Sequence, residues 1–129
     1  MEISPLAGKP AARTASAVHG HDYLNSCLDD LPAVVDLQVI KDAKVRIGVD
    51  PLGGASVAYW DAIGDRYGLN IEVVNHTVDP TFGFMTVDWD GQIRMDPSSA
   101  YAMARMVGLK DRFDVAFASD TDADRLATE

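Results

Sequence analysis

The sequence predicts a three-layer α/β/α domain with a small, mixed but mostly parallel β-sheet of three or four strands. Between residues 45 and 74, a strand, a helix and a second strand follow one another with short links, which is typical of a parallel βαβ unit. Another apolar run at residues 115–118 predicts a further strand. The length of 129 residues suits one domain, and a hydrophobic fraction of 47% is ordinary for a globular core.

The N-terminal part of the chain is expected to divide into a linker and two short helices. Residues 1–21 contain scattered proline and glycine without hydrophobic periodicity, so we expect a flexible linker. We place the domain over residues 22–129. It begins with an amphipathic helix at residues 22–31, capped by Asp22, and a second short helix follows through residues 34–40.

The βαβ unit has a signal at each boundary. Residues 45–49 alternate in hydrophobicity as a strand does, and Gly53-Gly54 then mark a tight turn. Apolar residues recur at helical spacing over residues 55–67, and Gly68 is a typical helix C-terminus. Residues 71–74 form the second strand, which such a unit places parallel to the first.

Two further elements are predicted before the last strand. The Asp-Gly dipeptide within residues 88–91 lies between apolar runs at 82–85 and 93–95, which predicts a β-hairpin. Asp96 followed by Pro97 is typical of a helix N-terminus, so we expect a helix to begin there.

Charge and cysteine content exclude several classes of function. The chain has 11 Lys and Arg against 20 Asp and Glu, which gives a net charge of −9 at pH 7. This charge repels phosphate backbones and anionic lipid, so we expect neither nucleic acid nor a membrane as partner. The single cysteine, Cys27, is expected to be buried on the apolar face of the first helix, and a lone thiol favours a reducing cytoplasm.

An acidic loop follows the last predicted strand. Asp120, Asp122 and Asp124 alternate there, and residues two apart in a curling loop can turn toward a common centre. Carboxylate oxygens suit a hard cation such as Mg²⁺, Ca²⁺ or Mn²⁺, at the sheet edge where α/β proteins bind ligands. A solvated acidic turn is the alternative. An EF-hand fits poorly, because Arg125 occupies the position that requires glycine.

Segments before this D-x-D-x-D-R loop occur in the order and at the spacing typical of one enzyme family. The segments are residues 47–54 (IGVDPLGG), Tyr59-Trp60, Val78-Asp79, Phe82, 84–85 (FM), 88–91 (DWDG), 93–96 (IRMD) and 98–99 (SS). Together with the loop, they resemble the α-D-phosphohexomutases, in particular the bacterial phosphoglucomutases. The resemblance covers about residues 22–125 and indicates the second of that family's four domains.

The resemblance implies a function and a set of site residues. The family moves a phosphoryl group between the 1- and 6-positions of a hexose through an enzyme phosphoserine, which implies interconversion of glucose 1-phosphate and glucose 6-phosphate. Asp120, Asp122 and Asp124 would each give one oxygen to Mg²⁺, and a phosphoserine oxygen would complete the protein ligands. Arg125 matches the family's catalytic arginine near the phosphoserine. The implied partners are a hexose phosphate and the remaining mutase domains.

The sequence also departs from the family. The phosphoserine segment, the sugar-selecting loop and the phosphate-binding loop do not occur in the 129 residues. The match to close relatives is expected to fail at Leu126, which suggests a domain truncated after the metal loop. We therefore expect an inactive chain that lacks one strand and is either marginally stable or self-associates through an unpaired sheet edge. The alternatives are a non-catalytic fragment that binds a divalent cation and a Mg²⁺-dependent phosphatase of haloacid-dehalogenase type.

Overall fold

The computed structural model describes residues 13–128. Residues 1–12, which make up most of the predicted linker, and Glu129 lie outside the described residues, and the domain boundary at residue 22 stays a prediction. Two short 3₁₀ turns, at Leu31–Ala33 and Lys110–Arg112, accompany the regular elements. The helices are α1 (Tyr23–Asp30), α2 (Leu37–Ala43), α3 (Val57–Tyr67) and α4 (Ala104–Val107), and the strands are β1 (Ile47–Asp50), β2 (Ile71–Val73), β3 (Val115–Ser119) and β4 (Leu126–Thr128).

The four strands form one mixed sheet in the order β2–β1–β3–β4. β1 pairs in parallel with both β2 and β3, and β4 runs antiparallel to β3. The predicted mixed, mostly parallel sheet is therefore confirmed. The expectation that the strand after Arg125 is missing is wrong, because β4 follows Arg125 directly and pairs with β3. The Asp120 N–H donates to the Arg125 carbonyl (3.2 Å), and this hydrogen bond closes the turn that brings the chain back onto β3.

Helices cover both faces of the sheet. Successive residues of a strand point to opposite faces, so neighbouring residues of β3 contact different helices. On one face, Phe117 of β3 contacts Trp60 of α3 edge to face, with ring centroids 5.1 Å apart. On the other face, Ala116 and Ala118 are buried in one cluster with Met106 of α4. This arrangement confirms the predicted α/β/α layers.

The predicted caps at Asp22 and Gly68 form as expected. Asp22 accepts a hydrogen bond from the Asn25 N–H (3.0 Å) at the start of α1. Asp36 accepts one from the Val39 N–H (3.2 Å), so α2 begins after Asp36, whereas the apolar pattern suggested a start near residue 34. Gly68 ends α3 with a left-handed φ of 66°, which costs glycine no strain.

The prediction that Cys27 is buried is wrong. Cys27 is exposed, as is Tyr23, and Leu28 is the buried residue of α1. The Tyr67 hydroxyl of α3 donates a hydrogen bond to the Leu28 carbonyl, which fixes the face that α1 presents to the domain. Adjacent residues of a helix point about 100° apart, so with Leu28 turned toward the domain, its neighbour Cys27 faces solvent.

The predicted hairpin and the helix at Asp96 do not form. Residues 75–103, here called the long connection, are described throughout but contain no helix or strand. The turn itself exists, since the Gly91 N–H donates to the Asp88 carbonyl (2.9 Å). Its flanking apolar residues do not pair with each other, because Met85 and Met95 pack against the core cluster instead.

Polar side chains also delay the helix beyond Asp96. The Asp96 carboxylate accepts from the Ser98 N–H (2.8 Å) in a local turn, and the Ser99 hydroxyl accepts from the Tyr101 N–H (3.2 Å). Such bonds compete with helical hydrogen bonds. Regular helix therefore begins only at Ala104.

The buried side chain of α4 supplies a test of this packing. Met106 is 1% exposed, so Met106→Ala should lower the free energy of unfolding by about 2–5 kcal/mol through lost contacts and a residual cavity. The matched control is Val107→Ala on the same helix, where the side chain is 42% exposed and the loss should stay below about 1 kcal/mol. Urea unfolding measures both, and equal losses would contradict the packing of α4 described above.

Candidate metal centre

Three carboxylates meet in the loop that joins β3 to β4. Asp120, Asp122 and Asp124 each bring one oxygen within 4.8 Å of the others' oxygens. Asp120 is buried at 7% exposure, whereas Asp122 and Asp124 face solvent. The structure therefore brings together the three residues that sequence analysis selected as metal ligands.

The Asp120 side chain holds this loop in shape. Its Oδ1 accepts hydrogen bonds from the N–H groups of Asp124 and Arg125, both at 3.1 Å. The Ala123 N–H donates to the Asp120 carbonyl (3.1 Å), and Ala123 itself has a left-handed φ of 63°. This tight curl turns Asp122 and Asp124 to the same side of the loop as Asp120.

The loop between β1 and α3 packs against the acidic loop and supports it. Residues 51–56, here called the β1–α3 turn, approach the acidic loop so closely that a Cβ added to Gly54 would lie 2.4 Å from the Thr121 Cα. The Ala55 N–H donates to the Thr121 carbonyl (2.8 Å), and the hydroxyls of Ser56 and Ser119 lie 3.2 Å apart. The predicted Gly53-Gly54 turn thus serves as a platform for the acidic loop.

Arg125 lies at the rim of the carboxylate cluster. Its side chain is 64% exposed, and Nη1 donates to Asp96 Oδ2 at 3.1 Å. Its Nε lies 3.8 Å from Asp120 Oδ2 and 3.9 Å from Asp124 Oδ1, which is too far for a hydrogen bond but close enough for charge attraction.

Mutual repulsion raises the pKa of one of these carboxylates. The Asp122 charge, together with the Asp120 carboxylate, raises the pKa of Asp124 above its usual 3.8. For Asp120, burial raises the pKa, but hydrogen bonds from Arg125 and Asp124 and the Arg125 charge outweigh burial and lower it. A divalent cation would relieve the repulsion that raises the pKa of Asp124.

The donor set fits a hard divalent cation. Ligand oxygens lie about 2.0–2.6 Å from Mg²⁺ or Ca²⁺, so oxygens on opposite sides of the ion are about 4–5 Å apart. The observed separation of up to 4.8 Å suits Ca²⁺ as it stands, and Mg²⁺, with its shorter metal–oxygen distance, would draw the oxygens about 0.6 Å closer together. Asp120 Oδ1 is engaged by the loop backbone, which leaves the second oxygen of that carboxylate for a ligand.

Sequence reasoning missed the residues that support the site. Asp96 was assigned only as a helix cap, and its ion pair with Arg125 joins positions 29 residues apart. Ser56 contacts Ser119 from 63 residues away. Neither contact has a local sequence signal, because each depends on how the long connection and the β1–α3 turn lie against the sheet.

The fold and the site together define an α/β domain that presents an aspartate loop at the carboxyl end of a sheet strand. The chain belongs to the phosphoglucomutase/phosphomannomutase family, as its alpha/beta/alpha domain II, because the model of that domain matches residues 21–128. The match extends through β4, whereas the divergence from close relatives at Leu126 stays a prediction.

Individual relatives agree with this assignment. A phosphoglucomutase from Komagataeibacter xylinus is 62% identical over 114 residues, which are 88% of this chain and 20% of that protein. The chain therefore spans about a fifth of the length of this relative. A solved structure from Thermus thermophilus, provisionally assigned as a phosphomannomutase, matches 87% of this chain and 25% of its own with a TM-score of 0.69. Because the two sequences are only 19% identical, this match supports the fold alone.

Among the described residues, no helix has the length and hydrophobicity that crossing a bilayer requires.

The contact between the two loops predicts the effect of a single methyl group. Gly54→Ala should displace Thr121 and cost about 1–3 kcal/mol of unfolding free energy, because the new Cβ overlaps main-chain atoms that cannot move independently. Thermal unfolding measures this loss. The control is Gly20→Ala, where nothing lies within 4 Å of the added Cβ, so the melting temperature should not change. A Gly54→Ala chain as stable as the control chain would contradict the close approach.

Proposed function

We propose that this chain acts as the metal-binding domain of an enzyme that interconverts glucose 1-phosphate and glucose 6-phosphate through a phosphoserine. The observation that carries the proposal is the meeting of three aspartate oxygens within 4.8 Å at the carboxyl end of β3. The family of the chain and its 62% identity to a protein named phosphoglucomutase support the reaction.

The proposal gives each site residue a role. Asp120, Asp122 and Asp124 hold Mg²⁺, which supplies charge neutralisation for a phosphoryl group in transfer. Asp120 also keeps the loop folded, through the two N–H groups that its Oδ1 accepts. The exposed guanidinium of Arg125 offers N–H donors to phosphate oxygens beside the metal.

The proposed activity requires parts beyond these 129 residues. The resemblance places the phosphoserine, sugar-selecting and phosphate-binding loops in other mutase domains, and none of these segments occurs in this sequence. We propose that the chain alone binds a cation without turnover, and that its partners are those domains and a hexose phosphate.

A cytoplasmic location suits its single free thiol, Cys27. The edge strand β4, where Leu126 is 67% exposed, is the proposed site of self-association.

Metal binding is tested by thermal unfolding with and without millimolar Mg²⁺. At about 100 times the dissociation constant, Mg²⁺ should stabilise the chain by about 2.7 kcal/mol, which is several degrees for a small domain. Asp122→Asn should abolish the shift, because Asp122 contributes to the acidic cluster but to none of the loop's supporting hydrogen bonds described above. Asp65→Asn, an exposed substitution nine residues into α3, is the control and should keep the full shift. A shift that survives in Asp122→Asn would contradict the assigned site.

Phosphate release distinguishes a mutase domain from a phosphatase. The chain with Mg²⁺ should release no phosphate from a generic ester such as p-nitrophenyl phosphate, because the proposed phosphoryl carrier lies in another domain. Free phosphate is the measured quantity. Release that depends on Mg²⁺ and disappears in Asp120→Asn would support the haloacid-dehalogenase alternative instead.

A further inference from the structure

The Arg125 side chain is held between two sets of carboxylates. On one side, Asp96 of the long connection accepts a hydrogen bond from Nη1 at 3.1 Å. On the other side, the Arg125 Nε lies 3.8 Å from Asp120 Oδ2 and 3.9 Å from Asp124 Oδ1. The guanidinium is therefore hydrogen-bonded to Asp96 and remains just outside hydrogen-bond distance of the carboxylate cluster.

Asp96 is itself fixed in place. Its Oδ1 accepts from the Ser98 N–H (2.8 Å), and its carbonyl accepts from the Ser99 N–H (2.9 Å). The Ser99 hydroxyl in turn donates to the buried carboxylate of Asp88 (3.0 Å). Asp96 Oδ2 thus meets Arg125 from a turn that is anchored in the domain rather than from a free loop.

We propose that Asp96 is a positioning residue that keeps Arg125 off the carboxylate cluster and thereby preserves its affinity for a divalent cation. Without Asp96, the guanidinium would be drawn to Asp120 and Asp124, because an arginine can donate two parallel hydrogen bonds to the two oxygens of one carboxylate. It would then compete with the cation for the same oxygens. This inference rests on the proposed function, because it assumes that the cluster binds a metal.

Asp96→Asn tests the inference with little effect on the fold. The asparagine side-chain oxygen can still accept from the Ser98 N–H, so the turn is retained while the charge that attracts Arg125 is lost. Mn²⁺ binding is followed by the EPR signal of the free ion at constant ionic strength, and Mg²⁺ by its displacement of Mn²⁺. We expect Asp96→Asn to weaken binding of both ions by about fivefold, the size of a surface ion-pair effect.

A double-mutant cycle separates positioning from simple loss of negative charge. In an Arg125→Gln background, Asp96→Asn should weaken binding by less than about twofold, because no guanidinium remains to be positioned. The control is Asp79→Asn, which removes the same charge from another turn of the long connection, where Asp79 accepts from the Thr81 N–H (2.9 Å). It should leave Mn²⁺ binding unchanged.

Each outcome bears on one of the two proposals. Equal weakening by Asp96→Asn with and without Arg125, or no weakening in either background, would overturn the positioning role while leaving the metal site intact. An unsubstituted chain that binds neither Mn²⁺ nor Mg²⁺ would contradict the proposed function, and the positioning role would fall with it.

Discussion

The whole site depends on one oxygen of the Asp120 carboxylate. Asp120 Oδ1 accepts two main-chain N–H groups of its own loop, and the residue is 7% exposed. A buried carboxylate needs such partners, because an ionised group without them would lose its hydration uncompensated. The loop is therefore shaped by the chain itself, and the remaining two aspartates are presented at its surface. Asp120 thus combines structural support with the proposed role of a ligand.

This arrangement makes a locally unfavourable charge distribution tolerable. The chain carries a net charge of −9, and three of its carboxylates lie together in one loop. Arg125 offsets part of this charge from the rim, and backbone N–H groups offset another part at Asp120. The remainder appears as the raised pKa of Asp124. Residual repulsion of this kind favours cation binding over an empty state, since the ion removes it.

Local sequence patterns predicted the sheet and the acidic loop, because both follow from rules that act over a few residues. Alternation over residues 45–49 and helical spacing over residues 55–67 predicted β1 and α3, and the aspartate spacing predicted which residues would come together. Failures occurred where tertiary packing outweighed local preference. Met85 and Met95 joined the core rather than a hairpin, and the rotation of α1 exposed Cys27. The contact of Asp96 with Arg125 spans 29 residues and has no local pattern at all.

The parallel pairing of β1 with β3 has a consequence for the order in which the domain folds. β1 and β2 are joined by a short βαβ crossover, whereas the Arg46 N–H meets the Asp114 carboxylate across 68 residues of chain. Closing so long a segment costs entropy before any contact repays it, and folding rates fall as such distant contacts accumulate. β1, α3 and β2 are thus suited to assemble early and β3 to join them late. Since the aspartate loop follows β3 directly, we expect its three carboxylates to come together in one of the last steps of folding.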